Sequence, residues 1–208
     1  SGQQTVSFSF VESELSKIYN ALPNGTSGTL KFTFQAFTDS GYTKQIGSDS
    51  IREITLSIPN IDATKPTASL TKSIVTSLAS PFNTLYIKGK AMVTASLGSG
   101  AGKYGASIKS YKVTIGAQSI TQSTAVSLTS GYFTTAGGVT IEGTVTDSRG
   151  FSNTYTETIT VIDHAPPRII PASGWDSVIA ARCNSAGVLD SNGTYLRIVA
   201  KREYSKVV

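Results

Sequence analysis

The sequence predicts an all-β protein: tandem immunoglobulin-like or fibronectin-III-like β-sandwich domains, with one short helix in the first block. Three observations carry that prediction. The run from Val139 to Val161 writes two half-buried strands around one tight turn. Val139, Ile141, Gly143 and Val145 share one face, and Thr140, Glu142, Thr144 and Thr146 the other. This is the period-two alternation of a strand with one dry side. The return strand alternates Tyr155, Ile159 and Val161 with four threonines, and Asp147-Ser148-Arg149-Gly150 supplies a capping side chain and a turn glycine. The second observation is spacing, because similar alternating runs recur at even intervals from residue 67 to 163. The third is composition: the chain is 39% hydrophobic but only 15% charged, against about 25% for an average globular protein. Threonine and serine replace the missing charges, and threonine is β-branched and polar, which suits outward strand positions.

Taken in order, Val6, Phe8 and Phe10 alternate as a strand, and Val11, Leu15, Ile18, Tyr19 and Leu22 then recur at helical spacing until Pro23 stops them. A short helix is therefore expected near 12–21. Leu30, Phe32, Phe34 and Ala36 form a strand, Asp39-Ser40-Gly41 turns the chain, and Ile54, Leu56 and Ile58 form a closing strand that Pro59 ends. Residues 1–63 hold too few strands for a sandwich of seven, so they are expected to be either a small open β-module or, as the favoured reading, a truncated immunoglobulin-like one. Asn60 to Pro66 is polar and stiffened by proline, which marks a linker. Residues 64–163 carry the strands of one complete sandwich: Leu70 to Leu78, Tyr86 to Leu97, Ile108 to Ile115, Gln118 to Leu128, and the hairpin. His164-Ala165-Pro166-Pro167-Arg168 forms a second linker. Residues 164–208 begin a further β-module, expected to be incomplete, with strands at Ile169-Ile170, Ser177 to Asn184 and Thr194 to Ala200.

One cysteine, Cys183, excludes an intrachain disulfide, so stability must come from packing. A free cysteine is expected to be buried as a small hydrophobe. No apolar run approaches the roughly 18 residues of a membrane span. The opening Ser1-Gly2 resembles a scar of tag removal, so the chain reads as an excised piece of a longer protein with ends that cut through domains. The net charge of +5 comes from basic residues scattered singly apart from Lys201-Arg202. That dispersion argues against nucleic-acid binding.

Catalytic and metal signatures are missing from the sequence. The single histidine, His164, has no cysteine or second histidine near it to complete a metal site. There is no Gly-x-Ser-x-Gly elbow, His-Glu-x-x-His or phosphate loop. A glycosidase needs two carboxylates across one cleft, but Glu142, Glu157 and Asp147 are placed on outward strand faces or in a turn. No catalytic residue, cofactor site or metal site is assigned, and the protein is expected not to be an enzyme. Asp190-Ser191-Asn192-Gly193 has half of a calcium-loop pattern and reads as a turn, since Val188 stands where an acid is required. Gly98-Ser99-Gly100-Ala101-Gly102 reads as a flexible hairpin loop. The candidate glycan or partner contacts are the loop aromatics Tyr42, Tyr104, Tyr132, Phe133 and Trp175, whose rings could stack on sugars. For Trp175 the favoured reading is packing between domains.

Four segments carry a family resemblance: Leu22 to Thr29 (LPNGTSGT), Lys103 to Tyr111 (KYGASIKSY), Gly143 to Gly150 (GTVTDSRG), and Arg182-Cys183-Asn184 followed by Gly193-Thr194-Tyr195. In this order the chain resembles a tail-associated structural protein family of siphoviruses that infect Gram-positive bacteria, largely of unassigned function. The resemblance implies a non-enzymatic virion component, located in the phage tail and extracellular, that spaces or presents a host-attachment device among other virion tail proteins. The alternative is a module that binds Gram-positive cell-wall polysaccharide through its aromatic loops. Exposed strand edges at both ends would also allow a homo-oligomer.

Overall fold

The computed structural model describes residue 7 and residues 9–165, 167–171, 179–203 and 206–207. The fold is predominantly β, with antiparallel sheets and one short helix. The helix, α1 (Glu12–Asn20), matches the expected span. It starts where the Glu14 carboxylate accepts the Val11 N–H at 3.0 Å, one half of a capping box. Val6 and Phe8, read as a strand with Phe10, lie outside the described residues; Phe10 itself is exposed and not in a strand. Strands β1 (Ser27–Phe34) and β2 (Ser50–Ser57) pair with Leu30 opposite Ile54 and Gly28 opposite Leu56. A Cβ on Gly28 would stand 2.8 Å from a Leu22 methyl, so glycine there lets the Leu22 side chain pack directly on the strand. Beyond β2 the expected linker is anchored rather than free. Thr64 is buried, and its hydroxyl donates to the Pro59 carbonyl at 2.6 Å and accepts the Ile61 N–H at 3.1 Å.

Seven strands follow: β3 (Thr67–Thr76), β4 (Ala91–Ala101), β5 (Ile108–Ile115), β6 (Gln118–Gln122), β7 (Val126–Thr129), β8 (Gly137–Asp147) and β9 (Ser152–Val161). They form a three-stranded sheet, β3-β4-β7, and a four-stranded sheet, β6-β5-β8-β9. Two strand expectations are corrected. Gln118 to Leu128 is two strands in different sheets, because the chain bends at Ser123-Thr124 while the alternation of apolar residues carries on in phase through Ile120, Val126 and Leu128. Tyr86 to Lys90 is not strand: Gly89 takes φ +71°, and the Ala91 N–H returns to the Ile87 carbonyl at 3.0 Å. The expected hairpin stands, with Gly150 at φ +88° closing its turn. Outward hydroxyls form cross-strand rungs, Thr94 with Thr129 at 2.8 Å, Thr144 with Thr154 at 2.9 Å and Thr146 with Ser152 at 2.8 Å. These rungs are what a threonine-rich strand face gains in place of ion pairs.

By contacts the chain divides into two compact units. The first comprises residues 1–73, 94–129 and 140–157. Its core is Leu97, Val113, Ile141 and Val145, all fully buried. Here β8 lies face to face with β3 and β4, since a Cβ on Gly143 would meet methyls of Leu97 at 2.9 Å and Leu70 at 3.0 Å. The second unit comprises residues 74–93, 130–139 and 158–208. Ile87, Ala91, Val93, Ile159 and Val161 are buried in it. The buried Ser130 hydroxyl accepts the Val93 N–H at 3.0 Å, so no donor is stranded there.

The C-terminal part of the second unit is a nested set of short antiparallel pairs. β10 (His164–Ala165) pairs with β15 (Lys206–Val207), β11 (Arg168–Ile170) with β14 (Lys201–Glu203), and β12 (Ile179–Cys183) with β13 (Tyr195–Val199). The expected proline linker thus contains paired strand, since His164 and Ala165 precede the prolines. β14 and β15 were not anticipated from the sequence, because two or three residues are too short to show alternation. Cys183 is buried, as expected of a free thiol.

Candidate functional site

The most elaborate polar cluster of the first unit gathers at the tip of the β8–β9 hairpin. Turn residues Asp147 and Arg149 look solvent-bound in the sequence, yet both are buried, Asp147 at 0% and Arg149 at 8% relative exposure. The turn-capping role expected of Asp147 stands, but the residue performs it from a buried position and not from an outward face. Its Oδ1 accepts the backbone N–H of Arg149 at 3.0 Å and of Phe151 at 2.9 Å, which shapes the turn. Its Oδ2 is buried without a hydrogen-bond partner.

The Arg149 guanidinium is spent on backbone carbonyls. Nε donates to Leu22 at 2.9 Å, Nη1 to Lys103 at 2.8 Å, and Nη2 to Tyr19 at 3.1 Å and to Tyr104. Two of these acceptors lie at and just beyond the C-terminal end of α1, where carbonyls lack helical partners and the helix dipole favours a cation. The neighbouring Ser148 hydroxyl donates to the Pro23 carbonyl at 2.6 Å and accepts the Ser107 N–H at 3.1 Å. One hairpin turn thereby holds the helix and the 103–107 loop together. Arg149 was missed at the sequence level, since its partners are carbonyls with no side-chain signature.

Tyr104 belongs to this junction. It has φ +48°, its ring meets Tyr19 edge-on at 5.1 Å, and its hydroxyl donates to Glu12 at 3.2 Å. Burial, with the Glu12 carboxylate beside it, pushes the phenol above its ordinary pKa of 10.0. The Gly98 to Gly102 segment is likewise structural rather than a flexible loop. β4 runs to Ala101, the Tyr111 ring occupies the space of a Gly100 side chain, and Gly102 lies against the Ala106 carbonyl.

The other candidate contacts have different neighbours. Tyr42 is 74% exposed at φ +54°, with its ring edge-on to Phe37 at 5.6 Å. The Asp39 carboxylate rigidifies its turn by accepting the Thr43 hydroxyl at 2.6 Å and the Lys44 N–H at 2.7 Å. Those bonds, led by that from the Thr43 hydroxyl, hold Asp39 below the ordinary carboxylate value of 3.8. In the second unit Tyr132 is exposed, while Phe133 is half-buried with its ring edge-on to Tyr86 at 6.3 Å. Trp175 lies outside the described residues. Glu142 and Glu157 are exposed as expected, Glu157 paired with Lys72. Asp190 makes the expected turn, its carboxylate accepting the Asn192 N–H at 2.9 Å. Among the described residues no three His, Cys, Asp or Glu side chains lie close enough together to hold a metal ion, and no helix is long and apolar enough to cross a membrane.

Residues 2–172 match the family described as siphovirus protein of unknown function (DUF859), and the chain belongs to that family. Comparison with the curated proteins and with the solved structures finds no match.

Proposed function

We propose that this protein is a non-enzymatic structural component of the siphovirus virion, placed in the tail, where immunoglobulin-like modules space or present a host-attachment device. The observation that carries this reading is the use made of Arg149. The buried guanidinium binds four backbone carbonyls of its own chain. It is consumed in fixing segments to one another, as a rigid spacer requires, and leaves little donor capacity for a ligand. Family membership supplies the phage context. The immunoglobulin-like assignment is supported by seven strands, β3 to β9, in sheets of three and four, with the chain crossing between sheets after β4, β6 and β7. Gold-labelled antibody against the protein, applied to purified particles of its phage, tests the placement: labelled tails are expected, and unlabelled particles overturn it. Release of reducing sugar from purified cell wall would overturn the non-enzymatic part.

A second reading, recognition of cell-wall polysaccharide, is favoured by Tyr42 alone among the described aromatics, because its exposed ring stands on a turn stiffened by Asp39. Stacking on sugar needs such a pre-organised ring. Retention on immobilised wall polysaccharide that is lost in Tyr42→Ala and kept in Tyr132→Ala would support it. No retention of the unaltered protein would end it.

A further inference from the structure

The tripeptide Asn-Gly-Thr occurs twice, at Asn24-Gly25-Thr26 and at Asn192-Gly193-Thr194, and these hold the chain's two Asn-Gly pairs. Asparagine before glycine is chemically labile, because glycine has no Cβ to hinder the approach of its backbone nitrogen to the preceding side chain. With the same local sequence at both sites, the fold decides which pair reacts.

The two sites differ in what holds them. Asn24 is exposed in the turn between α1 and β1, and neither its carboxamide nor the Gly25 N–H makes a hydrogen bond among the described residues. A Cβ on Gly25 would have its nearest neighbour, the Ser27 carbonyl oxygen, at 3.7 Å, so the backbone has room to turn there. At the second site the Gly193 N–H donates to the Asp190 carbonyl at 3.0 Å, and the Asn192 N–H to the Asp190 carboxylate at 2.9 Å. Gly193 is also buried, and a Cβ on it would stand 2.1 Å from the Cys183 carbonyl oxygen. Its nitrogen must give up a hydrogen bond before it can attack, which slows the reaction about tenfold or more.

We infer that Asn24 is a site of spontaneous covalent modification, and that the fold protects Asn192 from the same reaction. The Gly25 nitrogen loses its proton to a solvent base and bonds to Asn24 Cγ. The Cγ–Nδ2 bond breaks, the nitrogen takes a proton from solvent and leaves as ammonia, and a succinimide remains. Water opens that ring at either carbonyl, giving aspartate or, with the main chain routed through Cβ and Cγ, isoaspartate. Water is the one co-reactant, and no oxidant or reductant enters. The reacting pair lies between two anchored carbonyls: Pro23 accepts the Ser148 hydroxyl at 2.6 Å, and Thr26 accepts the Ile58 N–H at 2.7 Å.

Incubation of the full chain in heavy-oxygen water at neutral and mildly alkaline pH, followed by peptide mass spectrometry, reads both sites. The Asn24 peptide should deamidate, with heavy oxygen incorporated and a rate that rises with pH, while the Asn192 peptide should react about tenfold more slowly or less. Gly25→Ala should slow the reaction at Asn24 about tenfold. The variant should keep its circular dichroism and thermal midpoint, since Gly25 is outside the left-handed region and open space surrounds its Cβ position. In denaturant the two sites should react at similar rates, because only the fold separates them. An Asn24 that stays intact overturns the inference, as do equal rates at the two sites in the folded chain. An Asn192 that stays slow in denaturant also overturns it, since the protection would then not come from the fold.

Discussion

The buried Oδ1 of Asp147 accepts the backbone N–H of Arg149 at 3.0 Å, so the carboxylate shapes the turn that aims the guanidinium at four carbonyls. Two charged residues in one turn thus have different tasks. Asp147 fixes the local backbone, and Arg149 ties that turn to α1 and to the 103–107 loop.

Replacing Arg149 by alanine should cost about 3 kcal/mol in chemical denaturation, since it strands four carbonyl acceptors and each buried unsatisfied group costs about 1 to 3 kcal/mol where water does not reach it. Arg149→Lys should recover less than half of the loss, because an ammonium is a point donor that cannot span acceptors spread around a planar fork. Hydrogen exchange supplies the local readout. Amides of α1 should lose protection in Arg149→Ala while those of β5 and β8 keep theirs. Equal loss everywhere would show that Arg149 supports the core rather than the junction.

Asp147 divides into a used and an unused oxygen. Asp147→Ala removes the acceptor of two turn amides and should destabilise by about 2 kcal/mol or more, since each buried unsatisfied donor costs about 1 to 3 kcal/mol. Asp147→Asn keeps Oδ1 as an acceptor and should cost less than the alanine change. Denaturant midpoints of the two variants in parallel decide it, and asparagine as harmful as alanine would assign the carboxylate charge a role beyond the turn.

Gly143 tests the sheet packing. A methyl there would stand 2.9 Å from Leu97 and 3.0 Å from Leu70, too close for contact without displacement of both leucines. Gly143→Ala should cost about 1 to 3 kcal/mol, the range for overpacked cores. Leu70→Ala in the same chain should return part of that loss, because it vacates the space the new methyl needs. A neutral Gly143→Ala would mean the two sheets stand further apart than described.

The hairpin was legible because its alternation runs without a break from Val139 to Val145 and resumes after a turn whose residues have their own signature. The sheet change between β6 and β7 was not, because apolar parity at Ile120, Val126 and Leu128 is the same whether the chain bends or continues. Arg149 illustrates a deeper limit. A charged side chain in a polar turn reads as solvated, and nothing in the sequence marks carbonyls some 130 positions upstream as its acceptors. Tyr104 was singled out as an aromatic near a loop, but its role came from Tyr19 and Glu12, which only the fold brings to it.

The Tyr42 turn should loosen in acid. Hydrogen bonds from Thr43 and Lys44 hold the folded Asp39 carboxylate below its ordinary value of 3.8. A depressed folded pKa means that ionised Asp39 stabilises the turn in full above about 3.8 and that the contribution disappears as pH falls through the lower, folded value. Amide exchange of Thr43 and Lys44, corrected for the intrinsic pH dependence, should therefore lose protection only below that range, while amides of β5 stay protected. Asp39→Asn should show the looser turn at neutral pH and no further change in acid, since the titrating group is gone. If Thr43 and Lys44 stay protected through the acid range in the unaltered chain, Asp39 does not stiffen the Tyr42 turn, and the second reading loses its pre-organised ring.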